Sequence, residues 1–93
     1  MIINWANEAR LDLREILSFI YDKNPQAADN LEYQIFEAIE QLVEHPYLYR
    51  VGAVAATREI VVHPNYLVVY RVAIDHIEIL NVLHARQQYP NNT

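Results

Sequence analysis

The sequence predicts an α+β fold with one N-terminal strand, a helical hairpin and a three-stranded antiparallel meander, in a single domain of residues 1–93. Apolar residues recur at helical spacing through residues 7–44, and the chain becomes rich in Val, Ile and Tyr from residue 47 onward. No linker or repeat separates the two halves of the sequence. We therefore expect the strands to form one sheet with both helices packed on one face.

The beginning of the chain is expected to form a short strand and a first helix. The stretch "MIINW" is β-prone and predicts an opening strand of about four residues. Asn7 is the expected N-cap of the helix, with Glu8 in its first turn. The helix is expected to stop at "DKNP", because Pro25 disfavours a helical conformation in the residue before it. The apolar positions at helical spacing are Leu13, Ile16, Leu17 and Ile20.

A second helix is expected to follow after a tight turn. Asn24 suits its N-cap and Pro25 its first helical position, and the helix is expected to end at "EHP", residues 44–46. Two antiparallel helices joined in this way form a helical hairpin. The stripe expected to be buried consists of Ala28, Leu31, Ile35, Ala38, Ile39 and Leu42.

Three strands are expected in the second half, joined by short connections. They are "TREIVV" (57–62), "YLVVYRV" (66–72) and "HIEILNVL" (76–83). The last two runs are almost continuously apolar, which is typical of central strands buried on both faces. Arg71 and Glu78 flank the last hairpin and are expected to pair across it.

Charge and composition exclude several classes of protein. Twelve acidic residues against seven basic ones give a net charge of −5, which argues against direct, non-specific binding of nucleic acid. The absence of cysteine excludes disulfides and thiolate metal sites. No apolar run approaches membrane-spanning length, and no signal peptide is recognisable. We therefore expect a soluble, cytoplasmic protein without a membrane partner.

Few residues suit catalysis or cofactor binding. The four histidines are His45, His63, His76 and His84. Their spacing matches no metal-binding motif, and the first three are expected to be turn residues. Gly52 is the only glycine, so a phosphate-binding loop is excluded. We expect no cofactor and no metal site.

The segments "REIVVHPNYLVVYRV" and "IEILNVLHARQQYP" resemble the RelE/ParE superfamily of toxins from type II toxin–antitoxin systems. The stretch "AADNLEYQIFEAIEQLVEHPYLYR" resembles the second helix and following turn of the ParE-like branch, so the resemblance extends over nearly the whole chain. It implies the same fold, two helices on an antiparallel sheet, and a function as the toxin of such a system.

The superfamily contains two activities, and the residues of this chain favour one of them. RelE-like members cleave mRNA on the ribosome with sheet Lys and Arg residues and a C-terminal Tyr, because the crowded phosphorane needs cations. The positions here that resemble those cations are Arg58, Ile60, Leu67 and Ala85, of which only Arg58 is basic, although a one-residue shift would offer Arg86 in place of Ala85. The resemblance therefore favours the ParE-like branch, whose members inhibit DNA gyrase without known hydrolytic activity.

Two alternatives stay open at this point. In the first alternative to gyrase inhibition the chain is a ribosome-dependent mRNA endoribonuclease. In the second it is a degenerate module that binds its antitoxin without toxicity. In the ParE-like interpretation no catalytic residue is expected. The residues expected to bind the target are His84, Arg86, Gln87 and Tyr89, together with Arg58.

A toxin of this type implies a cognate antitoxin. The resemblance implies a ParD-like partner, a dimeric ribbon-helix-helix protein whose disordered tail folds onto the toxin as a helix in a groove or as an added strand. The expected edge for an added strand is either the strand after Gly52 or the opening strand. The residues expected to contact the antitoxin are Phe19, Tyr33 and Phe36.

Overall fold

The computed structural model describes residues 1–86, which form two helices and a five-stranded mixed sheet with strand order β1-β5-β4-β3-β2. The elements are β1 (Ile2–Trp5), α1 (Asn7–Lys23), α2 (Pro25–Glu44), β2 (Arg50–Val51), β3 (Arg58–His63), β4 (Tyr66–Val72) and β5 (His76–His84). The predicted α+β class, the helical hairpin and the antiparallel meander are confirmed. The two-residue strand β2 was not predicted, because so short a segment carries no periodic pattern.

The first and last strands lie side by side in parallel. The register runs from Ile2 opposite His76 to Trp5 opposite Ile79, whereas all the other strand pairs are antiparallel. Directly after β1, the Ala6 N–H donates to the Ile79 carbonyl at 2.9 Å, and α1 begins at the next residue. The edges of the sheet are therefore β1 and β2. The opening strand is an edge as predicted, whereas the strand after Gly52, β3, is not, because the unpredicted β2 pairs with its first half.

The helix starts differ in how they are capped. The prediction that Asn7 caps α1 is wrong: Asn7 is the first helical residue, and Ala6 occupies the cap without a side-chain hydrogen bond. Ala6 is held in an extended conformation by its bond to β5, so the helix starts one residue earlier than the Asn signal indicates. At α2 the prediction is confirmed, because the Asn24 Oδ1 accepts the Ala27 N–H at 3.2 Å and Pro25 is the first helical residue.

The core lies between the helical hairpin and one face of the sheet. Helix α2 buries almost the whole predicted stripe, with only Ala38 half-buried, and α1 adds the fully buried Ala9. In β4, Val68, Val69 and Tyr70 are all completely buried, which confirms a central strand. The main core residues are Leu31, Ile35, Ile39, Leu42, Ile60, Val68, Tyr70, Ile77, Ile79 and Val82.

Helix α1 also closes the part of β5 that β1 is too short to cover. Pairing with β1 ends at Ile79, which leaves the main chain of the following residues without a strand on that side. The Asp12 carboxylate accepts the Val82 N–H at 3.0 Å and the Asn81 side-chain amide at 3.1 Å. A side chain of α1 therefore takes the place of the missing strand.

This arrangement makes Asp12 a stability determinant. We expect Asp12→Ala to lower the free energy of unfolding by about 1–3 kcal/mol, because the half-buried Val82 N–H and Asn81 amide lose an ionised acceptor. Glu15→Ala, on an exposed position of the same helix, is the matched control and should change stability by less than about 0.5 kcal/mol. Urea unfolding followed by circular dichroism measures both, and equal values would contradict the role given to Asp12.

Candidate functional site

Three aromatic rings from the ends of the last three strands form a cluster, here called the ring cluster: His63, Tyr66 and His84. The two-residue turn Pro64–Asn65 brings His63 opposite Tyr66, and the sheet register brings Tyr66 opposite His84. The Tyr66 ring lies 5.9 Å from His63 and 5.1 Å from His84, the second contact being edge-to-face. All three residues are half-buried, so the cluster is a firmly packed surface at one end of the sheet.

Main-chain hydrogen bonds orient both imidazoles. The Nδ1 of His63 accepts the Asn65 N–H at 3.0 Å, and the Nδ1 of His84 accepts the Arg86 N–H at 3.1 Å. These contacts assign the proton of each neutral ring to Nε2. An acid–base pair needs one nitrogen that can take up a proton from the substrate, whereas here both acceptor nitrogens are already engaged. In these tautomers the two Nδ1 atoms orient the rings of the cluster through the main chain.

A cleft of about 400 Å³ separates the ring cluster from the tip of the helical hairpin. Its floor is apolar, formed in part by Ile20 and Leu31, and its polar groups include the side-chain amides of Asn30 and Gln34. No carboxylate, lysine or arginine is among the residues that line it within the described part of the chain. The cleft thus suits an uncharged group with hydrogen-bonding capacity more than a phosphate.

The structure places the residues expected to bind the target at two separate positions. His84 ends β5 in the ring cluster, and Arg86 is exposed in the turn after it. Gln87 and Tyr89 lie outside the described residues 1–86. Arg58 pairs with Tyr70, four residues from Tyr66 along β4, so its backbone lies roughly 13 Å from that end of the sheet. The structure therefore does not bring Arg58 together with His84.

Arg58 instead holds the connection between α2 and β2. It shares the helix-covered face of the sheet with its partner Tyr70, and its guanidinium donates to the Tyr49 carbonyl at 2.8 Å. The same guanidinium lies 5.0 Å from the centre of the Tyr47 ring and reaches the Tyr47 carbonyl at 3.4 Å. These contacts describe a structural role for Arg58.

Tyr70 fixes the same connection from the core. Its side chain is completely buried, and its hydroxyl donates to the Pro46 carbonyl at 2.8 Å. Burial raises the pKa of this phenol above its ordinary value of 10.0, and the nearby Arg58 charge opposes the rise only in part. A neutral tyrosine is thus the form that the folded protein retains.

The three residues expected to contact an antitoxin are exposed but line different parts of the helical hairpin. Their exposed fractions are 61% for Phe19, 68% for Tyr33 and 42% for Phe36. Phe36 stacks on Trp5, with ring centres 5.6 Å apart, and the two line a cleft of about 300 Å³ with Arg10 and Leu13. Tyr33 lines a second cleft between α2 and β3, whereas the Lys23 ammonium lies 4.4 Å from the Phe19 ring.

Helix α2 carries an acidic face, formed by Asp29, Glu32, Glu37, Glu40 and Glu44, all of which are exposed. The helix contains no basic residue, and the rest of the chain has seven acids and seven bases, so α2 accounts for the whole net charge of −5. Within residues 1–86 the ion pairs lie in the sheet half, between Arg50 and Glu59, between Arg71 and Glu78, and between Asp75 and His76. The predicted Arg71–Glu78 pair is confirmed, and among the described residues no carboxylate of the acidic face forms an ion pair.

Sequence reasoning missed His63 and Tyr66 as members of the candidate site. His63 was interpreted as a turn residue, although it ends β3. A signal was present, because residues that flank a two-residue turn become cross-strand neighbours in a hairpin. The contact of Tyr66 with His84 could not be found in this way, since it depends on the register between β4 and β5.

No three His, Asp or Glu side chains within residues 1–86 are grouped closely enough to hold a metal ion. In the same region neither helix has the length and hydropathy that crossing a bilayer would require.

The sequence matches a known protein family over nearly its whole length. Residues 3–89 match the family described as "ParE toxin of type II toxin-antitoxin system, parDE". The chain is 38% identical to the Y4kP protein of Sinorhizobium fredii over 89 residues, which are 95% of this chain and 92% of that protein. It is 35% identical to the toxin RelE2 of Caulobacter vibrioides over 81 residues, covering 87% and 91% of the two chains.

Solved structures show the same fold at low sequence identity. A chain of the chromosomal ParDE TA system from P. aeruginosa gives a TM-score of 0.78 at 23% identity, covering 90% of this chain and 95% of that one. The isolated E. coli RelE toxin gives 0.64 at 14% identity, covering 95% and 87%. The protein belongs to the ParE toxin family of type II toxin–antitoxin systems.

The contacts of Arg58 with the connection between α2 and β2 predict that removing its side chain destabilises the fold. We expect Arg58→Ala to lower the free energy of unfolding by about 1–3 kcal/mol, because the Tyr49 carbonyl loses a charged donor. Arg86→Ala, at an exposed position, is the control and should change stability by less than about 0.5 kcal/mol. Chemical unfolding compares the two, and an Arg58→Ala protein as stable as the parent would refute this structural role.

The buried phenol of Tyr70 predicts a decline in stability at alkaline pH. In the unfolded chain the phenol ionises as the pH passes about 10, whereas the folded protein keeps its proton, so the free energy of unfolding falls as the pH rises further. Tyr70→Phe should cost about 0.5–1.5 kcal/mol at pH 8 through the lost bond to Pro46, and should decline less steeply above pH 10. Urea titrations between pH 8 and 11 measure both effects. The exposed Tyr33→Phe is the control and should decline as the parent does.

Proposed function

We propose that this protein is a ParE-like toxin that inhibits DNA gyrase in the cytoplasm and is neutralised by direct binding of a ParD-like antitoxin. The observation that carries the proposal is the match of residues 3–89 to the ParE toxin family. Inhibition of gyrase is what resemblance to the ParE-like branch implies. The surfaces described above supply the physical support for this branch.

The chemistry of the ring cluster argues against hydrolysis of RNA. Cleavage of a phosphodiester requires cations around the phosphorane and a group that takes up the 2′-hydroxyl proton. Ile60 is buried in the core, Leu67 is apolar, and Ala85 carries no charge. In the Nε2–H tautomers assigned above, neither imidazole offers an unprotonated nitrogen that is not already bonded. We therefore infer that the toxin acts by binding and has no catalytic residue.

The proposed target-binding surface is the ring cluster with its adjoining cleft and the chain that follows β5. Aromatic rings and arginine are enriched where proteins bind proteins, and the neutral amides of the cleft can supply hydrogen bonds to a partner. Arg86 lies two residues beyond His84 and supplies the positive charge there. Gln87 and Tyr89 stay part of this proposal as the residues that continue the same segment.

The proposed antitoxin surface is the outer side of the helical hairpin. The cleft at Trp5 and Phe36 is open and largely apolar, with Arg10 as its charged member, which suits the apolar face of a helix. Tyr33 and Phe19 extend the exposed apolar area on the same hairpin. A partner with a disordered tail could cover these separate positions by wrapping around the toxin.

The experiment is an assay of DNA supercoiling by purified gyrase with the full-length toxin. We expect wild-type toxin to inhibit supercoiling and Arg86→Ala to weaken inhibition by about tenfold, as for a central interface arginine. Arg14→Ala, another exposed arginine but on α1, is the matched control and should inhibit like the parent. Antitoxin affinity of Arg86→Ala should remain within about twofold of the parent, because Arg86 follows β5 and is not part of the proposed antitoxin surface.

Two other outcomes of these assays would indicate one of the alternative functions, an endoribonuclease or a module without toxicity. Unimpaired supercoiling together with ribosome-dependent cuts in mRNA would replace gyrase inhibition by endoribonuclease activity, and loss of those cuts in His84→Gln would place the chemistry in the ring cluster. Absence of both effects with tight antitoxin binding would indicate a module without toxicity.

A further inference from the structure

The chain leaves the sheet through a turn formed by Ala85 and Arg86 directly after β5, which we call the exit turn. Arg86 is exposed and supplies the positive charge of the proposed target-binding surface. Exposed segments that follow a strand are ordinarily more mobile than the strand itself. The hydrogen bonds of the exit turn therefore decide in which direction the arginine side chain is presented.

Both main-chain N–H groups of the exit turn are bound at the end of the sheet. The Ala85 N–H donates to the Asn65 carbonyl at 2.6 Å, and the Arg86 N–H donates to the His84 Nδ1 at 3.1 Å. The first bond ties the turn to the connection between β3 and β4, and the second ties it to the last residue of β5. Together they fix the direction of the chain at Arg86.

His63 acts on the same turn through Asn65. The Asn65 N–H donates to the His63 Nδ1 at 3.0 Å, while the Asn65 carbonyl accepts the bond from Ala85. Pro64 lies between His63 and Asn65, and its ring restricts its φ angle. The residue whose carbonyl holds the exit turn is therefore itself held by an imidazole.

The two histidines use the same arrangement, in which a ring nitrogen accepts the N–H of the residue two positions further on. Asn and Asp side chains make the equivalent bond with an oxygen, so the arrangement requires an acceptor but no aromatic ring. Each imidazole also contacts the Tyr66 ring, at 5.9 Å from His63 and 5.1 Å from His84. The acceptor and the ring are thus two properties that different substitutions remove separately.

We propose that His84 and His63 are positioning residues, whose Nδ1 atoms hold the exit turn and thereby present the Arg86 guanidinium to the target. The inference rests on the proposed function, because it takes target binding by Arg86 as the activity. Bonds that exist before binding lower the entropy cost of ordering the turn in the complex. Their loss weakens binding although no contact with the target is removed.

Two substitutions of His84 separate the acceptor from the ring. His84→Asn keeps an oxygen that can accept the Arg86 N–H, whereas His84→Phe keeps a ring beside Tyr66 and has no acceptor. In the supercoiling assay with purified gyrase and full-length toxin, we expect His84→Phe to weaken inhibition by about tenfold and His84→Asn by less than about threefold. The matched control is His76→Phe, at a half-buried histidine at the other end of β5, which should stay within about twofold of the parent.

A double variant tests whether His84 acts through Arg86. In an Arg86→Ala background, His84→Phe should weaken inhibition by less than about twofold further, because two changes to one interaction are not additive. Exchange of the Arg86 amide, measured by NMR, should become about threefold faster or more in His84→Phe and should change by less than about twofold in His84→Asn.

Substitutions of His63 repeat the comparison one bond further from Arg86. We expect His63→Phe to weaken inhibition by about fivefold and His63→Asn by less than about twofold. Thermal melting shows which variants are folded, and the His63 pair supplies the comparison where a His84 variant does not fold.

The outcomes distinguish positioning from the proposed function. With a parent that inhibits gyrase, positioning is overturned if the Phe variants inhibit like the parent or if the Asn variants lose as much as the Phe variants. Full additivity of His84→Phe with Arg86→Ala overturns it as well, and in each of these cases gyrase inhibition stands. A parent toxin that leaves supercoiling unimpaired overturns the proposed function, and the presentation of Arg86 to this target with it.

Discussion

The parallel pairing of β1 with β5 is the constraint on which the rest of this structure depends. Two parallel strands cannot be joined by a tight turn, so the chain between them must cross over the sheet. The helical hairpin carries the chain from β1 at one edge of the sheet to β2 at the other, and the antiparallel strands return it to β5. The bond from Ala6 to Ile79 starts the hairpin directly at the end of β1. Because α1 then runs beside β5, Asp12 can reach the Val82 N–H and complete the strand that β1 leaves uncovered. The position and direction of α1, and the protection of the part of β5 that β1 leaves uncovered, thus follow from the pairing of β1 with β5.

The two ends of the sheet differ in chemistry although the same strands build them. At one end Arg58 and the Tyr70 hydroxyl bind main-chain carbonyls of the connection that follows α2, so a charge and a phenol are used to hold the fold. At the other end His63, Tyr66 and His84 are packed ring against ring beside an uncharged cleft. This separation agrees with the proposal that the second end binds a partner, since the guanidinium of Arg58 is engaged at the first end and is absent from the ring cluster.

Helix α2 joins the core to the proposed partner surfaces. One side of it buries an apolar stripe against the sheet, and the other exposes five carboxylates without a basic neighbour in the same helix. Repulsion among these carboxylates disfavours the free protein slightly, and a basic partner would relieve it.

The sequence by itself determined the elements, because periodicity and turn residues are local. The 3.6-residue spacing in α2, the Asn24–Pro25 start and the apolar run around Val68 each point to one structure. The parallel register, strand β2, the start of α1 at Asn7 and the contact of Tyr66 with His84 were decided by tertiary structure. Each depends on pairings between residues distant in the chain, about which local pattern carries no information. For the same reason Arg58 looked like a surface cation in the sequence and is a structural residue in the fold.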